Sequence, residues 1–101
     1  MELKNSDVYE ALAIEWQYQM ILVLKEKLLK AGVDDDMAKE IVGEFVFDFA
    51  LLHDQAAIVV NGKSYNPRIS FDDFEGNLIS TDEVSNLHEY AFASTGEAYG
   101  E

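Results

Sequence analysis

Residues 7–31 read DVYEALAIEWQYQMILVLKEKLLKA, and no single helical face holds all of their apolar side chains. At 100° per residue, Ala11, Ile14, Tyr18, Ile21, Leu22, Leu28 and Leu29 fall in one stripe. Tyr9, Leu12, Trp16, Met20 and Val23 fall in another, nearly opposite, again at helical spacing. One stripe is the core face of an amphipathic helix; two stripes need two things to pack against. Left in water, the second would expose roughly 500 Å² of apolar surface, a cost on the order of 10 kcal/mol at ~25 cal/mol/Å². Something must cover it.

The borders of this helix are chemically marked. Asp7 and Glu10 have the spacing of a capping box, with Ser6 as the alternative cap. Lys25, Lys27 and Lys30 complement the negative dipole end, and Gly32 supplies the left-handed stop. Asp34 then caps a second helix over about Asp35–Asp54, with Asp35 and Asp36 on its positive end. Its apolar face is Ala38, Ile41, Val42, Phe45, Val46, Phe49 and Leu52. The short connection makes the two helices an antiparallel hairpin. Residues 1–6 read as a polar, frayed lead.

Beyond Gln55 the period changes from helical to two. Ile58-Val59-Val60, Asn61-Gly62 and Lys63-Ser64-Tyr65 form a hairpin signature, because Asn-Gly populates the two positive-φ positions of a type I′ turn. That turn sets Val60 opposite Lys63, Val59 opposite Ser64 and Ile58 opposite Tyr65. Tyr65, Pro67, Ile69 and Phe71 continue the alternation, although Pro67 cannot donate to a ladder. A loop over Asp72–Asn77 leads to a short strand at Leu78-Ile79. Ser80 and Glu83 have capping-box spacing and open a third helix to about Ser94, with Thr95-Gly96 as its stop and residues 97–101 frayed.

The expected architecture is a single α+β domain of order ααββ(β)α over residues 1–101. An antiparallel two-helix hairpin packs on a small antiparallel β-hairpin or three-strand meander, and a C-terminal helix completes the layer. The expected core is Tyr18, Ile21, Leu22, Leu29, Ile41, Phe45, Phe49, Ile58, Val60, Ile69 and Phe71.

Charge narrows the function classes. The net charge is −13, and after Arg68 there is no lysine or arginine against eight acids. Such a chain repels nucleic-acid phosphates and anionic membranes, and its electrostatic partners are basic proteins or cations. It contains no cysteine, which excludes disulfides and thiolate chemistry and is compatible with a reducing cytoplasm. The N-terminus shows no signal-peptide pattern, and its longest apolar run, Met20–Leu24, is far below the ~20 residues of a membrane span.

Catalytic and metal signatures are tested and fail. There is no Gly-x-Ser-x-Gly elbow, phosphate loop, dinucleotide fingerprint or His-Glu-x-x-His pair. Asp72–Glu83 has the length of an EF-hand loop, but position 3 is Phe74 and the glycine falls at position 5. At most a weak cation site is left there. Glu40, Glu44 and Asp48 stand at i, i+4 and i+8, but without a Glu-x-x-His partner they read as a solvated helix face. No enzyme activity, metal or cofactor is expected.

Two binding readings remain. In the first, the chain is a stoichiometric inhibitor or immunity-type binder of a basic protein. Its surface would be Asp72, Asp73, Phe74, Glu75, Asp82, Glu83, Glu89 and Tyr90, aromatic groups ringed by charge. In the second, acidity serves only solubility and the chain is a homodimeric structural or accessory domain. Tyr9, Leu12, Trp16, Met20 and Val23 would form its seam around a two-fold axis. The argument for that seam is that helix three alone remains to cover it, and the helix-three stripe, Val84, Leu87, His88 and Ala91, is too narrow for Trp16.

Overall fold

A computed structural model describes residues 1–53, 55, 58–82 and 87–100. Its element order is β1 (Glu2–Asn5), α1 (Tyr9–Lys30), α2 (Asp35–Leu51), β2 (Ile58–Val60), β3 (Lys63–Tyr65), β4 (Phe71–Asp72), β5 (Asn77–Ser80) and α3 (Leu87–Ala98). The fold is α+β, in the expected order of two helices, short strands and a final helix, with one strand added in front.

Local chemistry sets the helix borders. Ser6 Oγ accepts the Val8 N–H at 3.3 Å, while no side chain of the Asp7–Glu10 pair caps the helix. At the other end, the Val33 N–H reaches the Leu28 carbonyl and the Gly32 N–H the Leu29 carbonyl, a Schellman closure with Gly32 at φ 82°. Asp34 accepts the Met37 N–H at 2.9 Å and starts α2. The expected end of α2 at Asp54 lies outside the described residues; the helix itself closes at Leu51.

The three helices pack on lines of small or slender residues. On α1 the buried line is Ala13, Gln17 and Ile21, which runs between the two apolar stripes and belongs fully to neither. On α2 it is Ala38, Val42, Gly43, Val46 and Ala50, and on α3 it is Leu87, Ala91, Ser94, Thr95 and Ala98. Small side chains let helix axes approach, so the bulky groups flank the contact instead of filling it. This corrects much of the expected core. Ile21 is fully buried, and Tyr18, Leu22, Phe49, Ile69 and Phe71 are half-buried. Leu29, Ile41 and Phe45 are exposed because they lie outside the small-residue lines.

The strands divide into two sheets. β2 and β3 pair as expected, Ile58 with Tyr65, Val59 with Ser64 and Val60 with Lys63, around Asn61 and Gly62 at φ 52° and 78°. All six residues of this hairpin are exposed, so Ile58 and Val60 are not core. The expected continuous strand through Phe71 is interrupted over residues 66–70, where Pro67 removes a ladder donor. β4 instead pairs antiparallel with β5, Phe71 opposite Ile79. The N-terminal lead is not frayed: β1 pairs parallel with the other edge of β5, Glu2 opposite Asn77 and Asn5 opposite Ser80.

Ser80 is therefore a buried strand residue, and Glu83 of the expected capping box, with Val84, lies outside the described residues. α3 continues through Thr95-Gly96 to Ala98. The Thr95 hydroxyl donates to the Ala91 carbonyl at 2.7 Å, which satisfies it inside the helix. Lys25 Nζ donates to the Ala98 carbonyl at 2.8 Å and lies 4.7 Å from the Tyr99 ring centre, fastening the helix end to α1. No helix among the described residues is long and apolar enough to cross a membrane.

Candidate functional site

Among the described residues, the β4–β5 connection presents the most exposed large apolar side chain in a left-handed conformation. Phe74 has φ 62°, a left-handed conformation that a bulky L-residue rarely adopts, and it is 92 % exposed. Two aspartates hold it there. Asp72 Oδ1 accepts the Phe74 N–H at 2.7 Å. Asp73 Oδ1 accepts the N–H groups of Glu75 at 2.7 Å and Asn77 at 3.1 Å, and Asp73 Oδ2 accepts the Asn77 side-chain amide at 2.9 Å. The Asn77 amide, and after it the Glu75 N–H, hold the Asp73 carboxyl below its ordinary pKa. Among the described residues no group of three His, Asp or Glu side chains converges as a metal site, and these two carboxylates serve the loop.

The other residues of the expected acidic surface are not all beside Phe74. Glu75 is exposed in the same loop. Asp82 stands beyond the far end of β5, where its carboxylate accepts the Asn5 side-chain amide at 2.6 Å. The Tyr90 hydroxyl donates to Glu10 at 2.6 Å, linking α3 to the first turn of α1. Glu89 is exposed, and Glu83 lies outside the described residues. β5 separates the two groups by about 10 Å at ~3.3 Å per residue. The stretch is thus two acidic patches, one aromatic tip and one inter-element brace.

The second stripe of α1 has cover within the chain. Tyr9 and Trp16 pack, with Ile69 and Phe71, on the cluster of Ala13, Ala50 and Leu87. Tyr9 meets the Phe71 ring edge-on at 5.6 Å and donates its hydroxyl to the Ile69 carbonyl at 2.8 Å. Burial pushes that phenol's pKa up, against a smaller opposite pull from Arg68. Trp16 lies edge-on to His53 at 6.3 Å. Met20 packs against the Ile21, Val42 and Val46 cluster, Leu12 is half-buried, and Val23 is exposed. The premise that only helix three could cover this stripe is replaced, because the Ile69–Phe71 segment and the end of α2 do so.

A narrow cleft lies beside Tyr9, lined by His53, Arg68, Thr81 and Leu87 among others. Its polar groups are engaged in structure. His53 Nδ1 is 3.2 Å from the Phe49 carbonyl, which requires a proton on Nδ1, and Arg68 Nη1 donates to the Thr81 carbonyl at 3.2 Å. Nothing in it sets a nucleophile against a base.

The acidic face of α2 is solvated, as its spacing suggested, and it extends back to Asp36. On α2, the carboxylates of Asp36, Glu40, Glu44 and Asp48 recur every fourth residue, and all four are exposed. A groove between α2 and α3 is lined by Asp36, Lys39, Glu40, Glu44, Phe92 and Thr95. Phe92 lies over Gly43, where an added Cβ would come within 3.1 Å of two ring carbons. The i, i+4 spacing of the acids was visible in the sequence; the aromatic group from another helix was not.

The molecule as a whole has surface to spare. It exposes 6771 Å², whereas a compact monomer of its mass exposes about 5,800 Å². Its radius of gyration is 15.4 Å, against about 13 Å for a compact chain of this length. Comparison with protein-family models, curated proteins and solved structures finds no match to this chain.

Proposed function

We propose that this chain is a non-catalytic, stoichiometric binder of a basic protein, of the inhibitor or immunity type, and that Phe74 is an anchor of its interface. The observation that carries this reading is Phe74 itself. An exposed aromatic in a left-handed conformation costs stability, of order 1–3 kcal/mol, and contributes no packing within the chain. Asp72 and Asp73 hold the backbone of the loop in place, so the position from which the ring projects is set before any partner arrives. Preorganised aromatics at the centre of a charged rim are what tight, electrostatically steered interfaces use. The lack of cysteine fits a reducing cytoplasm as the place of action.

The test is capture of a partner by the tagged chain across a salt series, with Phe74→Ala alongside. A basic protein held at low salt, released as salt rises and not retained by Phe74→Ala supports the reading. Retention that ignores both salt and the substitution overturns it.

Self-association is the second reading. It is favoured by the exposed apolar side chains of the β2–β3 hairpin and by Val23 on α1. Sedimentation of the purified chain over a wide concentration range distinguishes it, since a homodimer gains mass with concentration without any partner.

A further inference from the structure

We propose that the α2–α3 face is a second docking surface, and that its occupant is a basic amphipathic helix of a partner protein. The inference shares with the Phe74 reading only the basic class of partner; it rests on different residues, and the two fail separately.

The geometry is that of a charged row beside an exposed apolar line, with Phe92 of α3 on the row's far side. Residues four apart on a helix advance about 40° and 6 Å, so Asp36, Glu40, Glu44 and Asp48 form a slowly winding row about 18 Å long. On one side of it stands Phe92, 56 % exposed and seated over Gly43. On the other side Met37, Ile41 and Phe45 recur at the same four-residue spacing and are 55 %, 40 % and 48 % exposed. Phe45 stacks on Phe49 at 5.8 Å, which fixes the ring without burying it. A helix facing only water gains nothing from this row of large apolar groups.

Charge selects the occupant. Lys39 is the only basic residue of α2, against five acids. Two copies of this face would set one carboxylate row against another, a like-charge juxtaposition that opposes pairing. An anionic membrane is opposed by the same field. Met37, Ile41 and Phe45 stand about 60–100° round α2 from the nearest carboxylates, so a helix with apolar residues at i and i+4 and lysine or arginine beside them matches that apolar line and the acidic row together.

The experiment uses a fluorescent leucine–lysine amphipathic helical peptide, with a leucine–glutamate peptide of identical pattern as control, and reads binding by anisotropy. The leucine–lysine peptide is expected to saturate at one per chain, and the leucine–glutamate peptide not to bind. Glu40→Gln/Glu44→Gln/Asp48→Asn weakens binding by about tenfold or more, whereas Glu2→Gln/Asp7→Asn/Glu15→Gln, which removes as many exposed charges elsewhere, changes it by less than about twofold. Ile41→Ser weakens it too, and Phe74→Ala leaves it unchanged. Circular dichroism confirms that each variant keeps its helices. Equal losses from the two triple variants would show attraction to net charge alone and overturn the proposal, as would the absence of binding. Loss on Phe74→Ala would place the peptide at the β4–β5 loop and also overturn it. A dimer of the free chain that Ile41→Ser disperses would make a second copy the occupant and equally reject it.

Discussion

The Gln17 side-chain amide donates to the Leu87 carbonyl at 2.8 Å, joining the middle of α1 to the first residue of α3 inside the helical core. Gln17 is 1 % exposed, and its Oε1 has no partner among the described residues. Burying an amide costs unless its polar atoms are paired, so half of this group stabilises and half is a burden. Gln17→Ala removes the tie and leaves a cavity, and is expected to cost about 2–4 kcal/mol in urea unfolding. Gln17→Met keeps the volume and drops the oxygen, and is expected to cost about 1 kcal/mol or less. Equal costs for the two would mean that the hydrogen bond, and not the packing, sets the stability here.

That contact shows what could be read in the chain and what could not. The hairpin register followed from Asn61-Gly62, because two adjacent positive-φ positions fix the turn locally. Gly32 and Asp34 likewise closed and opened helices through backbone chemistry within a few residues. The facing line of α1 was not legible. Counting apolar residues found both stripes, but the helices meet on Ala13, Gln17 and Ile21 between them, where closeness of approach outweighs side-chain size. β1 was invisible for a related reason: its four residues are all exposed and its parallel partner lies 75 residues away. At the candidate site, Asp72 and Asp73 were read as outward charge. Their carboxylates accept N–H groups of their own loop, and the Phe74 ring that follows them is left exposed.

Phe74→Gly is expected to stabilise the fold by up to about 1 kcal/mol, since glycine adopts the left-handed region without the Cβ penalty. The thermal midpoint checks it. The same variant should lose partner binding, so stability and function move in opposite directions. A variant that loses both would mean that the ring packs within the chain.

Asp73 gives the loop a pH dependence with a defined sign. Its folded pKa is depressed below the unfolded value by Asn77 and by the Glu75 N–H. The stabilisation is therefore fully present above the unfolded carboxylate pKa near 4 and is lost as pH falls through the lower folded value. Amide exchange at Glu75 and Asn77 should quicken in that acid window relative to the helices. In Asp73→Ala it should be fast at all pH values, and a loop equally protected in that variant would remove Asp73 from this role.

Gly43→Ala separates the groove from the core. The new Cβ meets Phe92 ring carbons at 3.1 Å, and a half-exposed ring can yield by a few tenths of an ångström. Alanine gains up to about 1 kcal/mol of helix propensity, so unfolding free energy should change by less than about 1 kcal/mol. Gly43→Val adds bulk beside Thr95 and should cost more than about 1 kcal/mol, measured in the same urea series. A Gly43→Ala variant as damaged as the valine would show Phe92 to be locked in place.

Trp16→Glu looks like the direct test of a dimer seam on α1, but Trp16 already has intrachain work. Its indole packs on Ala13, Ala50 and Leu87 and meets His53 at 6.3 Å. A glutamate there loses that packing and faces an apolar cluster, so the isolated chain should lose about 3 kcal/mol or more. Because the loss is intramolecular, the urea midpoints of both proteins should be unchanged on tenfold dilution. Val23 is the cleaner probe, since it is 57 % exposed and belongs to the same stripe. Val23→Glu should leave stability within about 0.5 kcal/mol in a monomer. In a dimer sealed by this stripe it would lower the midpoint, and the wild-type midpoint would fall on dilution. The two substitutions together assign the energy of the stripe either to the fold or to an interface.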